Sequence, residues 1–160
     1  MPNHCHNRVT FYSATGDDDS VAKIAKLKQI FEDEKCFSQI IPEPDWANQP
    51  LLTSDNRFTK YGNDGELPIL QTDSYGDCLR FQSTGIADQR WYDWRVNHWG
   101  TKWDCYDVEV TDDDPECLEI QFNTAWSPPE AICHALREQY PDLGISWFYD
   151  EPGCEIAGYL

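Results

Sequence analysis

The chain reads as an α+β fold in which two helices cover one face of an antiparallel sheet. Three observations point there. Leu118, Ile120, Phe122, Thr124 and Trp126 alternate with Glu119, Gln121 and Asn123, the period-2 pattern of a half-buried strand. Val21, Ile24, Leu27, Ile30 and Phe31 recur at helical spacing, as do Ile132, Leu136 and Tyr140. Turn-forming residues separate these segments from their neighbours.

Taken in order, residues 5–13 set Cys5, Asn7, Val9 and Phe11 against His6, Arg8, Thr10 and Tyr12, which reads as a strand. Thr15-Gly16-Asp17-Asp18-Asp19-Ser20 breaks it and opens a helix, with carboxylates where the helix dipole favours them; the helix fades by Lys35. Residues 36–86 read as a loop-rich insertion within a single 1–160 domain. Pro42, Pro44, Pro50, Pro68, Gly62, Gly65 and Gly76 cut its apolar runs short, leaving a brief strand around Leu79 and Phe81. A helix follows over 87–99, with Trp91, Trp94, Arg95 and His98 on one face and Gly100 as its stop.

Strand 103–111 comes next, then an acidic turn Asp112-Asp113-Asp114-Pro115-Glu116 and strand 117–124. Ser127 stands as N-cap of helix 128–140, with Pro128 at the first helical position and Glu130 closing a capping box. Strands 145–150 and 155–160 flank a turn at Glu151-Pro152-Gly153-Cys154. With the insertion collapsed, the order is that of the ferredoxin-like split βαβ unit plus one extra C-terminal strand.

Composition then restricts function. Twelve Lys and Arg face 29 Asp and Glu, a net charge of −17. Such a charge repels phosphate and anionic lipid, so neither direct nucleic-acid binding nor membrane-surface binding is expected. A solubility surface, a cation site or a surface for a basic partner all remain open. Seven cysteines form an odd set with no Cys-x-x-Cys pair, and no stretch resembles a signal peptide or a membrane span, so reduced thiols in a cytoplasmic setting are expected.

Site chemistry is sparse. There is no Gly-x-Ser-x-Gly, no phosphate-cradling glycine loop, and no cysteine beside a plausible base, so no catalytic residue and no cofactor is assigned. Zinc needs paired short spacings; Cys117, Cys133 and His134 come nearest and lack a second pair. With Met1 removed, a free amine two residues before His4 suits Cu(II) or Ni(II), but the first strand needs those residues for pairing. No metal site is assigned. What remains is acid. Asp17, Asp18 and Asp19, with Asp112, Asp113, Asp114 and Glu116, are the candidate partner-binding residues, because self-repulsion of the charge excess opposes folding and a positive counterpart that gains from the charge would account for it.

Met1-Pro2-Asn3-His4-Cys5-His6-Asn7-Arg8-Val9-Thr10-Phe11, Gly100-Thr101-Lys102-Trp103-Asp104, Phe122-Asn123-Thr124-Ala125-Trp126-Ser127-Pro128-Pro129 and Tyr149-Asp150-Glu151-Pro152-Gly153 resemble, in that order, segments of a known family. Its members are small, largely uncharacterised proteins from bacteriophages and conjugative plasmids with a C-terminal ferredoxin-like domain. The chain departs at His4, where the family usually has Trp. The resemblance transfers no catalytic residue. It implies a mobile-element origin and an accessory role. Together with the charge, this gives the expectation of a non-catalytic inhibitor, of anti-CRISPR or anti-restriction type, that binds a basic host protein or nucleoprotein complex by phosphate mimicry. A regulatory or scaffold module of the element's own replication or transfer machinery is the alternative; a metal-dependent enzyme using clustered Asp is a third reading.

Overall fold

The computed structural model describes residues 3–52, 54 and 60–160. They divide into two compact units, one ending at Pro42 and resuming over Arg95–Leu160, the other lying within Glu43–Trp94. In chain order the elements are β1 (His4–Ser13), α1 (Asp18–Glu32), α2 (Cys36–Ile40), β2 (Ile69–Asp73), β3 (Gly76–Arg80), α3 (Arg90–Trp99), β4 (Tyr106–Asp114), β5 (Cys117–Ala125), α4 (Glu130–Gln139), β6 (Leu143–Glu151) and β7 (Ile156–Tyr159).

The first unit is built on a five-stranded sheet in the order β4-β5-β1-β6-β7, antiparallel throughout. The first four strands have the ferredoxin-like order, and β7 extends the sheet beyond β6. Burial follows the alternation read from sequence: Cys5, Asn7, Val9 and Phe11 of β1 and Leu118, Ile120, Phe122 and Thr124 of β5 are all buried. Ile24, Leu27, Ile30 and Phe31 of α1 and Ile132, Cys133 and Leu136 of α4 bury against that face. Its centre is aromatic, with the Phe122 ring 5.4 Å from Phe31 and 5.6 Å from Trp147 in a T-shaped contact.

The second unit carries the β2–β3 hairpin, paired from Ile69↔Arg80 to Asp73↔Gly76. At its heart the buried Arg90 guanidinium meets Asp88 at 2.8 Å and donates to the carbonyls of Gln49 and Pro50. The rings of Trp46 and Phe81 lie 5.3 and 5.5 Å from it. Pairing and full hydrogen bonding are what make a buried charge tolerable there.

Several sequence expectations need correcting. Cys36–Ile40, read as the start of the insertion, is a short helix of the first unit, and the hairpin fills a stretch read mostly as loop. The third helix starts at Arg90 rather than 87, and β4 starts at Tyr106 rather than 103. β4 also runs on through Asp112, Asp113 and Asp114, so only Pro115 and Glu116 turn the chain. Ser127 is no N-cap: α4 opens at Glu130 behind Pro129, and the Ser127 hydroxyl donates to Gly100 O at 2.6 Å instead. Trp126 leaves the buried face because the strand ends at Ala125 and Trp126 takes a left-handed φ of 73°, so its side chain is 48% exposed.

Candidate functional site

The end of β1 brings the two acidic clusters together. Tyr12 pairs with Cys117, and the Ser13 N–H donates to Glu116 O at 2.9 Å, so the chain leaving β1 runs against the β4–β5 turn. Gly16 has φ 63°, and a Cβ built on it would lie 2.5 Å from the Glu116 carboxylate. Glycine takes that φ without strain, and a larger residue there would have to push the Glu116 carboxylate aside. The Ser13 hydroxyl accepts the Gly16 N–H at 2.9 Å and holds the loop in place.

Asp17 then caps α1, accepting the Ser20 N–H at 2.8 Å and the Thr15 hydroxyl. Those hydrogen bonds, Thr15 first, hold its carboxyl down to about 2. Asp18 and Asp19 follow in the first turn, where the dipole favours them. The structure adds a third contributor that no sequence cluster announced: Asp142, just ahead of β6, shares Lys23 with Asp19, at 2.7 and 2.6 Å. Lys23 holds the Asp142 carboxyl below its usual range.

Across the turn, Lys28 of α1 meets Asp113 of β4 at 2.5 Å. Among the described residues no cation pairs with Asp17, Asp18, Asp112, Asp114 or Glu116. β4 is an edge strand carrying Asp107, Glu109, Asp112, Asp113 and Asp114. Bulges at Tyr106/Glu109 and Val110/Asp112 shift its register, and beyond them Asp112, Asp113 and Asp114 pair in turn with Glu119, Leu118 and Cys117, all three exposed. Charges and bulges on an edge strand also discourage pairing with another chain, which is the structural role such residues can serve unaided.

Beside this rim lies a groove of about 450 Å³ between α1 and the β4–β5 hairpin. Val21, Ile24, Ala25 and Leu118 give it an apolar lining, and Lys28, Asp113 and Asp114 stand at its wall. All seven sequence-predicted partner-binding residues therefore sit around one end of the sheet. The loop leading into Asp17–Asp19 runs against Glu116 through Ser13 and Gly16, and Asp112, Asp113 and Asp114 lie on the outer strand that leads to Glu116.

The opposite end of the sheet, where His4 pairs with Ala125, exposes an aromatic group instead. The Lys102 ammonium lies 4.4 Å from the Trp103 ring centre and 5.9 Å from that of Trp126. Gly100, at φ 88°, is held there because a Cβ would approach Glu130 N to 3.0 Å. His4 is engaged in the sheet, its Nδ1 bonded to the Tyr106 hydroxyl at 2.6 Å.

Cys36, Asp104 and Cys105 place one ligand atom each within 4.8 Å of one another, the one such group among the described residues. Cys117, Cys133 and His134, the nearest set in the sequence, do not form one. Burial pushes the Asp104 carboxyl up, against hydrogen bonds from the Phe37 and Cys105 backbone that pull it down.

Residues 100–160 match the family model described as the ferredoxin-like domain in Api92-like protein. A stretch of 69 residues, 42% of the chain, is 26% identical to the uncharacterized protein YubB of Escherichia coli (strain K12) and spans 48% of that protein's length. The crystal structure of a protein api92 from Yersinia pseudotuberculosis aligns over 99% of this chain and 93% of its own, at 12% identity and a TM-score of 0.48.

Proposed function

We propose that this chain is a non-catalytic interaction protein whose acidic rim occupies, in place of phosphate, the basic surface of a nucleic-acid-binding protein. The observation that carries the reading is the convergence of two sequence-distant acidic clusters, with Asp142, at one end of the sheet beside an apolar groove. β4 supplies the spacing. A strand rises about 3.3 Å per residue, and one DNA strand presents a charge about every 3.4 Å of axis. Asp112, Asp113 and Asp114 follow one another at that rise, and the five carboxylates of Asp107–Asp114 average one per about 5 Å along an open edge.

The groove adds what charge alone lacks, a place for an anchor. An aliphatic side chain flanked by Lys or Arg on the partner fits both parts: the apolar atoms enter between α1 and the hairpin, and the cations meet the rim. Buried anchors supply most of the affinity at such contacts, while complementary charge supplies rate and selectivity. The resemblance to phage and plasmid proteins suggests the wider setting, a host defence complex that handles nucleic acid.

The test is competition. The chain is immobilised, host proteins retained from a bacterial lysate are identified, and the binding of labelled DNA or RNA to each is titrated with free chain. A true partner releases its nucleic acid, with an association rate that falls as salt rises. The Asp112→Asn, Asp113→Asn, Asp114→Asn, Glu116→Gln variant competes at least tenfold more weakly. Equal competition by that variant, with the same salt dependence, sinks the mimicry reading and favours a scaffold whose charge serves solubility and edge protection.

A further inference from the structure

We propose that Cys36, Asp104 and Cys105 form a binding site for a thiophilic divalent cation, zinc above all, which fastens the start of α2 to the entry of β4. The ligand atoms lie within 4.8 Å of one another. Tetrahedral zinc, with bonds of about 2.3 Å to sulfur and 2.0–2.2 Å to oxygen, sets neighbouring ligands about 3.5–3.8 Å apart. Closing the widest gap therefore takes about 1 Å of side-chain movement. Two sulfurs and one carboxylate oxygen suit a borderline-soft ion and disfavour calcium or magnesium, which take oxygen ligands.

The surroundings orient the ligands already. Asp104 Oδ1 accepts the N–H groups of Phe37 and Cys105, each at 2.9 Å, which fixes the carboxylate plane. Such outer bonds are what hold a metal ligand in its working orientation. The Cys36 and Cys105 sulfurs and an Asp104 carboxylate oxygen stand close enough for one cation to draw all three together. Cys36 is fully buried while Asp104 and Cys105 are partly exposed. The site thus has a closed floor and an open side, three protein ligands with a fourth position for water. Any two of these groups could be incidental packing. The third, a carboxylate set in place by two backbone donors, brings a negative charge to the side of two sulfurs.

The experiment uses the full chain, reduced and freed of metal with a chelator. Titration with zinc against a chromophoric chelator should show one ion per chain, and the melting temperature should rise by several degrees. Cobalt in place of zinc should give thiolate-to-metal absorption. Cys105→Ser and Asp104→Asn should each weaken zinc at least tenfold, and Cys105→Ser should diminish the cobalt band. Cys117→Ser, outside the cluster, should change neither. Should Cys36→Ser fail to fold, the two partly exposed positions and the cobalt spectrum still decide. Absence of stoichiometric zinc, or zinc bound equally by Cys105→Ser and Asp104→Asn, overturns the proposal.

Discussion

Asn7 Oδ1 accepts the indole N–H of Trp147 at 3.1 Å, and its amide group donates to Cys5 O and to Thr124 Oγ1, each at 3.0 Å. Thr124 in turn donates to Ser127 O at 2.8 Å. One relay thus ties β6, β1, β5 and the bend before α4, all in the buried layer. Asn7 could be placed on the inner face from its alternation, but its partners could not, since they come from strands far along the chain. The relay predicts the cost of removing its centre. Asn7→Leu strands the Trp147 N–H among apolar atoms, and an unsatisfied buried donor costs about 1–3 kcal/mol. The urea midpoint should fall accordingly; a midpoint equal to that of the parent chain would mean that water or a rearranged ring meets the indole. Ser127 carries the opposite lesson. Ser-x-x-Glu before an apolar run is a good cap signature, yet the Gly100 carbonyl takes the hydroxyl and leaves the helix to open behind two prolines.

At the scale of elements, legibility followed burial. β1, β5, α1 and α4 each press one face into the core, and a buried face imposes a period that can be read directly. β2 is exposed throughout and β3 only partly buried, so nothing forced their residues to alternate; the brief strand read around Leu79 falls on β3, while its partner β2 gave no signal. α2 spans only five residues, too few to show a period. The start of α1 was legible because its chemistry is local, and it carries a pH dependence whose sign can be worked out. The Asp17 carboxyl is lowered from 3.8 to about 2 in the folded chain, so it prefers the folded state when ionised. Its contribution is complete above pH 3.8 and is lost as pH falls through about 2. Asp17→Asn keeps a good cap but cannot titrate. Melting temperatures of the two chains should therefore run close together near neutrality. Between pH 4 and 2 the parent should fall more steeply. Parallel curves would show that the cap bonds do not depend on charge.

For the whole molecule, each acidic cluster was visible in the sequence and their meeting was not. That meeting depends on β1 ending against the β4–β5 turn, a consequence of strand order rather than of any local pattern. Cys36, Asp104 and Cys105 were hidden for the same reason, since Cys36 lies far along the chain from Asp104 and Cys105 and no short paired spacing links them. A net charge of −17 must weigh on the folded state through self-repulsion. Salt relieves it, the screening length shrinking from about 10 Å at 0.1 M to about 3 Å at 1 M. The melting temperature of the parent chain should therefore climb as sodium chloride is raised over that range. The variant neutralised at Asp112, Asp113, Asp114 and Glu116 loses one surface ion pair, Asp113 with Lys28, a contact of small worth in water. It also loses repulsion along an exposed edge. It should melt no lower than the parent at low salt and respond less to added salt, even as it competes more weakly for a basic partner. That combination, stability kept or gained while binding is lost, is what a surface maintained for a partner predicts. A variant that instead melts well below the parent would assign those carboxylates to holding the hairpin, and the charge at this end of the sheet would need no partner to explain it.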